Sequence, residues 1–320
     1  MSRQSADLGA ACSGAAPFGV VVAEAERMVT SVASDAPAAR KALLNEREAR
    51  LALLVVGLLN ALLHPVRDAV AASGLAGAVM GTFGISAIVW IALTLVARLL
   101  ATEPDRGMRR TEFAVHVAVL ALILVPLRHV AWIGLTLMAL NVLAHAARGS
   151  AAARGGWLLL AVGVPMFWGK LALSLFSGVV LTLDAMLVSA VLGLPRLGNT
   201  LALADGRTHL WIEASCSSML NLSLVVLCWT MFCTLRGIGL RRGLPWCGLC
   251  AGLIIALNVG RISLIAAFPA HHDMLHGGLG ASVANWLFVA VMLCVFEFGM
   301  CRHDREVSPS TVRRMARHAA

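Results

Sequence analysis

The chain has 320 residues, 59% of them hydrophobic and 13% charged, with a mean hydropathy of +0.82. That balance is far too apolar for an ordinary soluble domain and describes a polytopic membrane protein. The formal net charge is +9, yet only Lys41 and Lys170 are lysines, and the arginines fall in short runs between apolar stretches; this distribution speaks for membrane topology and against nucleic acid as a partner.

Residues 1–50 are rich in alanine with mixed charge, and the apolar run before Cys12 is too short and too weakly flanked for a secretory signal. They read as a cytoplasmic tail, either disordered or, from about residue 20 onward, an amphipathic helix along the membrane surface. After residue 50 apolar segments recur, and about 20 residues are needed to cross about 30 Å of hydrocarbon. The expected spans are 51–72, 76–98, 112–127, 129–146, 157–176, 213–235, 244–268 and 282–301. Pro126, Arg128 and His129 make a very tight hairpin between the third and the fourth. The expected fold class is all-α, a polytopic transmembrane helical bundle of about eight spans. One membrane domain covers 51–301, and a basic cytoplasmic tail follows over 302–320.

Arginine concentrates on the cytoplasmic side of short loops. Here Arg106, Arg109 and Arg110 lie in the second connection, Arg148 and Arg154 in the fourth, and Arg236, Arg241 and Arg242 in the sixth. Arg302, Arg305, Arg313, Arg314 and Arg317 follow the last span, while residues 269–281 contain no arginine. Both termini are thereby assigned to the cytoplasm. One stretch resists a simple span, because Trp157 to Leu194 would reach about 57 Å as a helix, nearly twice one crossing. One crossing followed by a segment in the outer interface preserves the arginine parity, with Lys170 and Asp184 marking departures from lipid. A polar outer loop through Arg196 and Asn199 then leads to Trp211 and Glu213.

Most of the eight cysteines need no special account. Cys228, Cys233, Cys250 and Cys294 fall inside apolar runs, where cysteine is a small hydrophobe. Cys247 and Cys250 have CxxC spacing, a weak redox or metal signal without a second ligand pair nearby. Cys216 alone sits beside polar residues at the edge of an apolar segment, flanked by Ser215, Ser217 and Ser218.

The topology gathers further reactive residue types on the same outer side. Arg261 lies about 10 Å below the outer end of the seventh span, a costly position in lipid unless it is paired, wetted or functional. Asn258, one turn earlier on the same face, is placed to orient its guanidinium. Glu213 and Asp273 are the acidic partners available if Arg261 is only a snorkelling anchor. His271, His272 and His276 follow in the outer loop, His272 beside Asp273 and His276 ahead of Gly277 and Gly278, which let the backbone turn closely. Their spacing defines no closed metal site.

Together these types have a mechanism: Cys216 as thiolate nucleophile, a histidine as base and then acid, Arg261 as support for a developing oxyanion. It requires no cofactor and no metal. The alternative is a transporter or assembly factor for exported polysaccharide, in which Arg261 holds an anionic lipid or sugar phosphate and Cys216 only packs.

These residues resemble the exosortase and archaeosortase membrane transpeptidases. The resemblance runs from about Trp157 to Cys301 and rests on the segment from Glu213 to Ser218, on Asn258 to Arg261, and on His276 followed by glycines, with Arg196 and Asn199 ahead of them. It implies a multi-spanning enzyme at the outer face of a bacterial-type inner membrane that cleaves the carboxy-terminal sorting signal of exported proteins and passes the acyl group to a cell-surface acceptor. Carried over, Cys216 is the nucleophile, Arg261 the arginine of the seventh span and His276 the histidine. The implied partners are membrane lipid and an exported substrate protein with a C-terminal transmembrane sorting signal, docked beside the sixth and seventh spans. Two departures stand out: Ser218 occupies a position where the family usually has glycine, and the short interval from Arg261 to His276 keeps His272 a rival for the histidine role.

Overall fold

The computed structural model describes residues 45–318 except 105, 106, 109 and 204–207, with side chains as far as residue 299 except that of residue 279. The expected tail over 1–50 therefore lies almost wholly outside the described residues. Helix α1 (Glu46–Met80) begins ahead of the expected boundary and runs past Pro65 to a kink at Gly74. A short turn at Thr82–Gly84 separates it from α2 (Ala87–Ala101), so the span expected over 76–98 is not one helix. The break falls where Thr82, Phe83 and Gly84 all take positive φ, a conformation that ends a right-handed helix.

Helices α3 (Arg110–Leu124) and α4 (Arg128–His145) meet in the expected tight hairpin. Asn60 on α1 donates to the carbonyls of Ile123 and Val125 at 2.5 and 2.7 Å. It thus satisfies acceptors that the end of a helix leaves open.

Helix α5 (Ala151–Gly163) starts at Ser150, whose hydroxyl accepts from the Ala153 amide at 3.1 Å. It passes through a π turn at Val164–Trp168, where Pro165 supplies no N–H, and continues as α6 (Gly169–Leu192). The combined rod of 42 residues bends at Phe176, the expected end of the fifth span. Beyond the bend α6 is a scaffold: its Leu181, Ala185 and Val188 are buried in a core shared with the segments that follow.

The polar outer loop holds a small sheet, an addition to the helical bundle that was not expected. Strands β1 (Arg196–Leu197), β2 (Thr200–Ala202) and β3 (His209–Trp211) pair antiparallel in that order, with Thr200 opposite Trp211 and Leu201 opposite Leu210. Gly198, at φ +58, opens the two-residue turn between β1 and β2. Strands this short leave no alternating pattern in a sequence.

Helix α7 (Ser218–Arg236) ends at Gly237 (φ +64), and the next amide, from Ile238, returns to the Cys233 carbonyl at 2.9 Å. Helix α8 (Leu240–Ala267) packs back against it so closely that a Cβ on Gly243 would lie 2.6 Å from Cys233 Sγ. A turn at Pro269–His271, the short α9 (His272–His276) and α10 (Gly278–His318) complete the chain. Helix α10 carries without a break through the boundary expected at 301.

The protein is mostly helical, and among the described residues five segments are long and apolar enough to cross a membrane: Glu46–Met80, Ala151–Leu192, Ser218–Arg236, Leu240–Ala267 and Gly280–Gly299. Leu59, Leu175, Val179 and Val191 are exposed on the outer faces of these rods, where lipid rather than water suits them. Helices α2 and α3, at 15 residues each, reach only about 22 Å. The large core joins α1–α5, α7, α8 and α10 through residues such as Leu54, Leu135, Leu158, Leu227, Ile254 and Phe296. A second, smaller core joins α6, the sheet and α8 through Val188, Leu201, Ile212 and Ile262, and Cys216 rests against it.

Candidate active site

Cys216 closes a short turn, Ala214–Cys216, immediately before α7. Ser217 is the N-cap of α7: its hydroxyl accepts from the Met219 amide at 3.2 Å and donates to Asp184 Oδ2 at 3.0 Å. The same carboxylate oxygen accepts from the Ser218 amide at 3.2 Å. Asp184 is 4% exposed, so it does not mark a departure of α6 from lipid. It is a buried carboxylate at the positive end of α7, where both the helix dipole and the free amides favour an anion. Nothing in the sequence beyond one acid in an apolar run signalled it.

Asn258 also has a different task from the expected one. Its side-chain amide donates to the Cys216 carbonyl at 2.8 Å and to Ser218 Oγ at 3.0 Å, rather than orienting Arg261. The carbonyl partner requires the nitrogen on that side, which fixes the orientation of the amide. Ser218 is buried and provides the second of these acceptors.

From the sheet side, Asn199 and Ile212 clasp each other. The Asn199 amide group donates to the Ile212 carbonyl at 3.0 Å, and the Ile212 N–H donates to the Asn199 carbonyl at 3.1 Å. That clasp fixes the chain just ahead of Glu213. Arg196 remains at the surface, donating to the Gly198 carbonyl at 3.4 Å. Cys216 is thus held by α6, by the sheet and by α8.

The histidine segment comes down on it from the other side. His276 Nδ1 lies 3.9 Å from Cys216 Sγ. His272 packs edge-on against His276, ring centres 5.1 Å apart, and its own Nδ1 lies 3.3 Å from the fully exposed carboxylate of Asp273. Both histidines, Cys216 and Glu213 border one cavity of about 100 Å³, walled by Leu210, Ile212, Ile262 and Ile265. Glu213 accepts from Ser215 Oγ at 3.3 Å, and that hydroxyl is itself 3.9 Å from Cys216 Sγ. His271 lies in the preceding turn and is exposed.

The glycines after His276 are used, although not as a simple pair. A Cβ on Gly277 would lie 2.7 Å from the Asp273 carbonyl oxygen, and one on Gly280 would lie 2.5 Å from that of Leu275. Gly278 meets nothing within 4 Å. Gly280, which carried no expectation, is the tightest of the three.

Arg261 approaches through the histidine backbone. Its Nη2 donates to the His276 carbonyl at 3.3 Å, while Nε is buried without a hydrogen-bond partner. It borders a separate cavity of about 630 Å³ between α8 and α10, otherwise apolar, with Leu257, Leu264, Val283 and Leu287 in its walls. Among the described residues neither Glu213 nor Asp273 pairs with it.

The remaining described cysteines are free, and Cys228, Cys233 and Cys250 are buried. No group of three or more His, Cys, Asp and Glu side chains gathers as a metal site among the described residues. The arrangement therefore offers a sulfur nucleophile at the start of a helix, an imidazole beside it, and a cation bound to the segment that carries the imidazole. Compared with protein-family models, curated proteins and solved structures, the chain matches none.

Proposed function

We propose that the protein is a membrane-embedded cysteine peptidase or transpeptidase of the exosortase type, cleaving a carboxy-terminal sorting signal of exported proteins at the outer face of a bacterial-type inner membrane. The observation that carries this is the approach of Cys216 Sγ and His276 Nδ1 to 3.9 Å from segments 60 residues apart in sequence, inside one small cavity. Catalytic hydrogen bonds are often long before substrate binds and shorten in the substrate complex. The arginine distribution supports the outer-face assignment and an inner-membrane bundle of about eight spans with both termini cytoplasmic.

In this mechanism His276 takes the Cys216 proton, and the sulfur attacks the carbonyl carbon of the scissile peptide to give a tetrahedral oxyanion. His276 then returns the proton to the departing amine as the C–N bond breaks, which leaves a thioester on Cys216 and frees the signal helix. Water or an acceptor amine attacks the thioester, giving its proton to His276, and the thiol is restored. Asp184, Asn258 and Ser217 hold the nucleophile, and Arg261, expected to support the oxyanion directly, acts instead as a positioning residue through its bond to the His276 carbonyl. No cofactor or metal enters any step.

The test is co-expression with an exported protein bearing a tagged apolar C-terminal helix followed by arginines. Cys216→Ala and Cys216→Ser should each abolish processing, and the wild type should yield the shortened product. Processing by Cys216→Ala at the wild-type rate would overturn the proposal. The unpartnered Nε of Arg261, bordering an apolar cavity, favours a second reading as a transporter or assembly factor that binds an anionic lipid or sugar phosphate. Such a protein would tolerate Cys216→Ala and lose its activity in Arg261→Ala.

A further inference from the structure

At the other end of α7, about 27 Å from Cys216 along its 19 residues, four arginines from separate segments surround one cavity of about 670 Å³. Arg148 comes from the α4–α5 connection, Arg154 from the first turn of α5, and Arg241 and Arg242 from the first turn of α8. Among the described residues no aspartate or glutamate lines this cavity. Arg154 Nη1 makes one long bond to the Thr234 carbonyl at 3.5 Å, and its Nε is buried without a partner. Among the described residues none of the four forms an ion pair.

Arginines that only set topology need water, and they gain nothing by converging, since like charges repel. Three of these four also sit at the starts of helices, the ends whose dipole disfavours a cation and favours an anion. The start of α5 already has an anion, since the Ala152 amide donates to Glu103 Oε1 at 2.7 Å, but the start of α8 has no side-chain cap, so the unpaired guanidinium groups and the α8 N-terminus call for the same missing charge. Its remaining surface is mostly apolar, with Leu143, Trp157 and Leu240 in the walls, and Trp157 is half exposed on the outside of the bundle. A free inorganic anion would leave that apolar surface unused. We propose that the cavity binds an anionic phospholipid, its phosphate between the arginines and the start of α8 and the upper part of an acyl chain along Trp157 and Leu143. This site is independent of the chemistry at Cys216.

The test uses the purified full chain in detergent, with bound lipid counted by native mass spectrometry during titration with phosphatidylglycerol, phosphatidylcholine or sodium phosphate. Phosphatidylglycerol should be retained in preference to phosphatidylcholine, and millimolar phosphate should not displace it. The Arg154→Gln/Arg241→Gln chain should bind it about 25-fold more weakly, about fivefold for each arginine. Equal retention of the two lipids, unchanged binding by the variant, or displacement by phosphate alone would overturn the proposal. Should that variant fail to fold, Arg148→Gln/Arg242→Gln removes two exposed arginines of the same cavity. A photoactivatable phosphatidylglycerol on the unmodified chain should in addition label residues 143–157 and 233–242, and labelling confined to other segments would overturn the assignment.

Discussion

His276 and His272 lie in the same short helix, but their rings face different groups. The nitrogen of His276 points at Cys216 Sγ, whereas that of His272 points at an exposed carboxylate. His276→Ala should therefore eliminate formation of the acyl-enzyme, trapped as a covalent adduct with a labelled substrate, while His272→Ala leaves most of it intact. The reverse pattern would move the base to His272. The residues that hold the nucleophile make a separate prediction. Asp184→Ala leaves the Ser217 hydroxyl and the Ser218 amide without their acceptor, and Asn258→Ala removes both of its bonds to the Cys216 segment. Each should cost about 1–3 kcal/mol of stability, measured as a lowered Tm in detergent. Each should also change the rate at which a soluble alkylating reagent modifies Cys216, which a merely remote structural loss would leave alone. At this scale the sequence revealed residue types and little of their partnerships. Cys216 and His276 were legible because a thiol and an imidazole have a known joint chemistry. Asp184 and Asn258 were misread because their partners lie 33 and 42 residues away, and the nearest charged or polar neighbour in sequence was the wrong one.

Elements were legible in proportion to their length. Long apolar helices announce themselves by hydropathy, and the bend at Phe176 falls where one crossing was expected to end. The three strands are two or three residues long and carry no periodic signal, although β2 supplies Leu201, and the residue after β3 supplies Ile212, to the core beneath Cys216. Glycine showed a similar divide. The pair Gly277 and Gly278 looked like the turn that sets His276, whereas the closest backbone approach is at Gly280, inside α10 and facing the carbonyls of Met274 and Leu275. Backbone atoms cannot rotate away as a side chain does, so Gly280→Ala must push α9 from α10. The expected cost is about 1–3 kcal/mol, with a loss of processing because His276 moves with α9. Gly278→Ala, which meets nothing within 4 Å, should leave both Tm and processing near wild type. Equal effects of the two substitutions would show that the α9–α10 approach does not set the histidine.

At the scale of the whole molecule, the arginine pattern and the helix ends make one joint claim. The site at Cys216 and the arginine cavity lie at opposite ends of α7, and α8 returns from Arg241 to within a few residues of His272. With 28 residues α8 reaches about 42 Å, more than the hydrocarbon requires, and a tilt or an overhang at either end absorbs the excess. If α8 crosses, a reporter fused after Arg241 and one fused after Asp273 must fall on opposite sides of the membrane. An alkaline phosphatase fusion should be active at Asp273 and inactive at Arg241, and a fluorescent protein that matures only in the cytoplasm should give the complementary result. The pair of fusions is stronger than either alone, because it fixes the sidedness of α8 without depending on the count of crossings before it. Helices α2 and α3 are short, and one crossing more or fewer among them would invert both reporters together and move Cys216 to the cytoplasmic face. Opposite signs with Asp273 outside would make Cys216 accessible to a membrane-impermeant thiol reagent in intact spheroplasts. Two reporters on the same side would remove α8 as a span, and with it the separation between the thiol site and the arginine cavity.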